Sequence, residues 1–296
     1  MKIITALSAA LILMFLSPGC QNMNDEDDTE KNKKSEDGGK NEASGTDAGT
    51  DAGTDNVLDW VFIEGGTFEM GWEDTAASEN DERPVHEVTV KDFYIARTEV
   101  TLAQYELCIE ASVCTGPLFE HWRCNMGIAY REDHPMNCIN WEQAGQFCEW
   151  AGGRLPTEAE WEFAARSRGQ KRMYPWGDEH GTCDYATMST LELGEGCGEE
   201  TTWPVCSRPD GNTEQDLCDM AGNVNEWCMD WYHKNYEGAP DDGSAWQLPE
   251  GSKRIVRGGS VFTETYALRT TSRFSKFPLR PPENYVKGTL GFRCVR

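Results

Sequence analysis

The chain has 296 residues, and its 51 acidic side chains outnumber the 27 Lys and Arg to give a formal net charge of −24. An acidic segment at 21–56 carries −7 of this and Lys2 carries +1, so −18 remains on residues 57–296. A surface of that sign repels nucleic acid and anionic membranes, which excludes both as expected partners, and it attracts cations. The first element in chain order is Lys2 followed by an apolar run from Ile3 to Leu16. It is too short to span a bilayer and fits the apolar core of a signal peptide.

The run ends in "LSPGC", where Gly19 precedes Cys20. This resembles a bacterial lipoprotein cleavage box, although the Leu stands one place further from the Cys than usual and Pro18 intervenes. The resemblance implies that residues 1–20 are a signal peptide and that Cys20 is lipidated, which leaves the lipid as the chain's contact with a membrane. An ordinary secretory signal with an incidental Cys is the alternative. Under either reading the chain is expected to leave the cytoplasm, and with the lipid anchor it is expected in the cell envelope. Residues 21–56 hold eleven acids, four lysines and the near-repeat "TDAGTDAGTD", with almost nothing apolar. Such a segment cannot bury enough surface to offset its ordering entropy and is expected to be a disordered tether, roughly 30–35 Å long as a coil.

From Val57 the composition turns globular, and all eleven Trp fall here. "WVFIEGGTFEMG" (60–71) reads as strand, glycine turn and strand, and "VHEVTV" (85–90) as a further alternating strand. Three helix starts carry a capping signal: Thr101 with Gln104, Asn140 with Gln143, and Thr157 with Glu160. The middle helix places Trp141, Ala144 and Cys148 on one face and stops at Gly152–Gly153. After Arg166, long loops dominate, with short strands near "RIVRGG" and "GFRCVR". The pattern predicts one α+β domain over 57–296, rich in loops and braced by cross-links. Twelve cysteines in an exported chain point to disulfides. Zinc spacing is absent, because no C-x-x-C occurs and the five His never form a ligand pair.

Eight segments together resemble the formylglycine-generating enzyme family, also called sulfatase-modifying factors. They are "GGTFEMG" (65–71), "TEVTLAQY" (98–105), "HPMNCINW" (134–141), "FCEWAGGRLPTEAEWEFAAR" (147–166), "YPWGDE" (174–179), "DMAGNVNEW" (219–227), "RIVRGGS" (254–260) and "GFRCVR" (291–296). They run in the family's order over nearly all of 57–296. The resemblance implies an irregular, loop-rich fold related to C-type lectins. It implies a Cys148–Cys294 disulfide. Spacing then suggests Cys108–Cys114, Cys124–Cys138, Cys183–Cys197 and Cys206–Cys218, although connectivity does not follow from sequence. Cys228 is left over and reads as a buried, inert thiol. The resemblance also implies a structural calcium in "DMAGNVNEW", held by the side chains of Asp219 and Glu226 and the carbonyls of Gly222 and Val224; such hard oxygen donors suit Ca²⁺. Here Asp219 replaces the family's usual Asn, and Asn225 its usual Trp.

The segment "VRGGSVFTETYALRTTSR" (256–273) is where this chain departs from the family. The family's enzymes carry two cysteines after "GGS" that bind copper(I) and oxidise a substrate cysteine with O₂. No Cys occurs from 229 to 293, and Thr263 and Leu268 stand near the positions of that pair. A hydroxyl and a leucine cannot replace thiolates toward Cu(I), so no copper and no catalytic residue of the family's kind are expected. Glu264, Tyr266, Arg269 and Arg273 form the polar cluster of a groove, either as a diverged active site or as a satisfied ion-pair network. The expected role is a non-catalytic module that binds an unknown protein or glycan; a diverged enzyme with another reaction is the alternative.

Overall fold

Three short helices begin where a capping box closes. The computed structural model describes residues 57–73, 80–118, 121–279 and 288–296; the expected signal peptide, Cys20 and the tether lie outside them. Helix α1 (Leu102–Glu110), α2 (Trp141–Trp150) and α3 (Glu158–Ala165) start at Thr101, Asn140 and Thr157. In each, the cap side chain accepts from the third residue's N–H, and that residue's side chain accepts from the cap's own N–H. Each cap contributes on the order of 1 kcal/mol. Helix α2 ends at Ala151 and hands over to Gly152 at φ +80°, a conformation that favours glycine.

Strand β1 (Trp60–Ile63) pairs antiparallel with β4 (Phe93–Ala96), and β2 (Gly66–Met70) pairs with β3 (His86–Val90). The Gly65–Gly66 turn therefore passes the chain between two ribbons and does not close a hairpin. A Cβ on Gly65 would lie 2.4 Å from the Val90 carbonyl oxygen, which explains the glycine. Phe68, Met70, Val88 and Val90 point inward while their neighbours are exposed, the period-2 pattern expected of a half-buried ribbon.

The third sheet has the order β7-β6-β5-β8, built from β5 (Asn225–Trp231), β6 (Arg254–Arg257), β7 (Phe274–Lys276) and β8 (Leu290–Gly291). β8 runs parallel to β5 and the other pairings are antiparallel. β5 was not among the expected strands. It is buried on both faces, so "NEWCMDW" shows no alternation to read. In "GFRCVR" only Gly291 belongs to a strand; Val295 instead makes isolated bridges to Ile95 and Arg154.

The described residues form two main apolar cores, and α3 belongs to the second. One gathers Tyr105, Phe147, Trp227 and Phe292, and the other Phe68, Val88, Trp161 and Phe163. A small third cluster of Tyr174, Ala186, Met188, Ala221 and Leu268 underlies the 256–273 segment. Among the described residues five disulfides brace the loops, Cys108–Cys114, Cys124–Cys138, Cys148–Cys294, Cys183–Cys197 and Cys206–Cys218, the pairs that resemblance and spacing suggested.

Candidate functional site

The chain leaves β6 through Gly258 and Gly259, both at positive φ (86° and 73°), and doubles back over itself. A Cβ on Gly259 would stand 2.5 Å from Leu268 Cδ2 and 3.0 Å from Thr263 Cγ2. The side chains at positions 263 and 268 therefore both pack over one glycine. What meets there is chemically quiet. Leu268 is fully buried, and the Thr263 hydroxyl accepts from the Ser260 N–H at 2.9 Å.

Arg269 and Arg273 do not open into a groove. Arg269 donates through Nη1 and Nη2 to the two oxygens of Glu82, each at 2.6 Å, and Thr271 Oγ1 adds a bond to the same carboxylate. Arg273 grips Glu158 through Nε and Nη2 at 2.7 and 2.9 Å. Burial alone would raise the Glu158 pKa, but Arg273 and then Arg257 outweigh it and hold the carboxyl below its ordinary value. Of the alternatives for this cluster, the satisfied ion-pair network describes both arginines. The expectation that they line the groove is corrected accordingly: both carboxylate partners are internal, on α3 and on the turn before β3.

Glu264 and Tyr266 do face outward. They line an open groove of about 500 Å³ with Met188 and with Leu191, Glu192 and Leu193 from the loop opposite. That loop is closed at its base by Cys183–Cys197, and Ser189 N donates to the Thr263 carbonyl at 3.0 Å, joining it to the 256–273 segment.

The proposed calcium loop curls through positive φ at Asp219, Gly222 and Asn223. Asp219 Oδ2 accepts from the Cys206 N–H at 2.7 Å. Glu226 receives Arg293 Nε and Nη2, both at 2.7 Å, and Trp161 Nε1 at 2.8 Å. A carboxylate offers about four lone-pair sites, so Glu226 keeps one, on Oε1. Glu99 is a third buried carboxylate against this loop, accepting from Asn223 Nδ2 at 2.7 Å and from the Val224 N–H at 3.1 Å. Burial, then the charges of Asp219 and Glu226, push Glu99 well above the usual carboxylate range. Burial likewise lifts Asp219 to about 6. Beside the loop, Thr187 Oγ1 is buried without a hydrogen-bond partner, and its carbonyl lies 2.5 Å from where a Gly222 Cβ would be. Among the described residues no three His, Cys, Asp or Glu side chains group to hold a metal by themselves. A cation here would have to be completed by carbonyls, and it would share Glu226 with Arg293.

Cys228 is fully buried, and burial, then the charge of Asp230, raises its thiol well above the ordinary value. A thiol so placed is a poor nucleophile.

The sulfatase-modifying factor enzyme 1-like domain matches residues 46–296, a stretch that contains the whole of the architecture above. The chain belongs to this family. A formylglycine-generating enzyme of Streptomyces coelicolor is 32% identical over 288 residues, covering 79% of this chain and 88% of that protein. The inactive C-alpha-formylglycine-generating enzyme 2 of Bos taurus is 28% identical, covering 81% and 88%. Among solved structures, PvdO from Pseudomonas aeruginosa superposes with a TM-score of 0.67 at 28% identity, covering 80% of this chain and 93% of PvdO. The loop-rich α+β fold expected from the sequence is thus the sulfatase-modifying factor fold.

Three functional features escaped the sequence reading. Glu99, inside "TEVTLAQY", was a lone acid in the stretch Ile95–Val100, otherwise mostly apolar. Of the carboxylates of α3, only Glu160 was read, as part of the cap. "LEL" at 191–193 was an apolar pair in an acidic, glycine-rich loop, and exposed leucines there were the available signal.

Proposed function

We propose that this sulfatase-modifying-factor-like domain is an exported, lipid-anchored binding module for a protein or glycan, without the family's cysteine-oxidising activity. One observation carries the reading: positions 263 and 268, near which the resemblance puts the family's copper-binding pair, both pack over Gly259, and they present a methyl-bearing hydroxyl and a leucine. Cu(I) at a reactive site needs soft donors such as paired thiolates. The ten bridged cysteines are unavailable, and Cys228 is a single buried thiol. The name of the bovine relative shows that inactive members of the family occur. The test is to incubate reduced, copper-loaded protein with a Cys-x-Pro-x-Arg peptide and look for aldehyde by mass spectrometry. No aldehyde above a copper-only control is expected; turnover above it would overturn the reading.

Two further parts of the proposal rest on local chemistry. A Ca²⁺ in the Asp219–Glu226 loop would take Asp219, Glu226 and the carbonyls of Gly222 and Val224, and would offset the excess of buried carboxylates over guanidinium there. EGTA should then lower Tm, and a melting curve indifferent to chelator counts against the site. The lipid anchor rests on "LSPGC" alone. In fractionated cells, Cys20→Ala should move the chain from the membrane to the soluble fraction, and an unchanged distribution refutes the anchor.

A further inference from the structure

We infer that the groove between residues 188–193 and 264–266 docks an apolar protein segment bearing lysine or arginine; this rests on the binding-module reading above and names its partner. Leu191 is 98% exposed and Leu193 53%, and across the groove Tyr266 is 69% exposed. Three large apolar side chains facing water around one concavity mark an interaction site more than a surface left to chance. Apart from His180, which also lines it, the charged side chains at its rim have one sign. Glu192 and Glu264 line the groove, no Lys or Arg does, and neither carboxylate has a hydrogen-bond or ion-pair partner among the described residues.

The leucine wall is also pre-shaped. Thr190 and Gly194 exchange backbone hydrogen bonds at 3.0 and 2.9 Å, the Leu193 N–H donates to Thr190 Oγ1 at 2.9 Å, and Cys183–Cys197 closes the loop. A wall held this way loses little entropy when a partner arrives. The chemistry favours a protein segment over a glycan. Tyr266 is the one exposed Phe, Tyr or Trp ring at the groove; the two branched aliphatic tips of Leu191 and Leu193 suit apolar side chains better than hydroxyl-rich sugars, and the two carboxylates attract cations. No cysteine is needed in the partner, which separates this docking from cysteine oxidation.

Fluorescence anisotropy of the detergent-solubilised full chain tests this with two labelled, cysteine-free peptides of equal length, one alternating Leu with Lys and one alternating Leu with Glu. The Leu/Lys peptide should bind and the Leu/Glu peptide should not. Glu192→Gln with Glu264→Gln should weaken binding roughly tenfold. Leu191→Ser with Leu193→Ser should weaken it at least as much. The remote pair Glu106→Gln and Glu110→Gln, exposed on α1, should leave it unchanged. Failure of the Leu/Lys peptide to bind, equal binding of both peptides, or equal losses from groove and remote variants would each overturn the inference. None of these outcomes touches the oxidase reading, which stands or falls on the aldehyde assay alone.

Discussion

Asp230 shows how one side chain can set the pH response of the fold. It is buried, its Oδ1 accepts from the Trp246 N–H at 2.7 Å and its Oδ2 from the Glu158 N–H at 2.8 Å. Burial, then the charge of Glu158, raises its pKa from 3.8 to about 7. Between about pH 4 and 7 the native state therefore keeps a proton that the unfolded chain has released. The carboxyl contributes stability that is full below pH 4 and lost as pH rises through 7. Asp219, lifted to about 6 in the absence of a cation, acts with the same sign, and a Ca²⁺ bound there would lower that pKa instead. His134 opposes them: burial, then Arg131, lowers it to about 4, so its contribution is present above its ordinary pKa of 6.5 and is lost as pH falls through 4. The difference between parent and variant isolates Asp230. Asp230→Asn can accept at one of the two N–H groups, so at pH 5 it should be less stable by about 1–3 kcal/mol. That gap should narrow toward pH 8 in paired thermal melts, and a gap independent of pH would refute the assignment.

At the scale of the element, α3 is the unusual piece, because all eight of its residues are buried, acids included. Each acid has its guanidinium: Glu158 has Arg273, Glu160 has Arg154, and Glu162 has Arg166 and Arg257. Glu162 also accepts from the Gly71 N–H at 2.9 Å, so this helix ties the β2 ribbon to β6. A buried network of this kind adds little over an apolar core, yet removing one member strands its partners. Glu162→Ala leaves two buried arginines short of charge and should cost about 3–5 kcal/mol. For a domain of this size that is on the order of 10 °C in Tm, measurable by calorimetry. A loss under 1 kcal/mol would show that water replaces the carboxylate.

The helices themselves were legible because their signal is local: a cap, an amide or acid three residues on, and an apolar face. The burial of α3 was not, since its partners lie as far as 115 residues away in sequence. The same limit explains the groove. Arg269 and Arg273 in "TYALRTTSR" could be read either as a site or as an ion-pair network, because Glu82 and Glu158 cannot be seen from there. Thr263 and Leu268 were readable as a missing pair only through family resemblance; their convergence over Gly259 is a three-dimensional fact.

For the whole molecule, the bridges matter most through Cys148–Cys294, which spans 146 residues and fixes the C-terminus beside α2. In the chain-entropy model it contributes about 5 kcal/mol. Replacing both cysteines by Ala should lower stability by several kcal/mol in denaturant titration, and an unchanged midpoint would show that Val295 pairing alone holds the terminus. The five bridges also have an order. No two of them cross along the sequence: four span 14 residues or fewer, and the fifth encloses two of those. A chain made from its N-terminus can close the four short ones as each second cysteine emerges. Cys148 must wait for Cys294, while Cys228 emerges in between as the nearer unpaired thiol. Maturation is therefore a race between a wrong partner that arrives early and the right one that arrives last, and Cys228→Ala should raise the yield of correctly bridged protein in oxidative refolding.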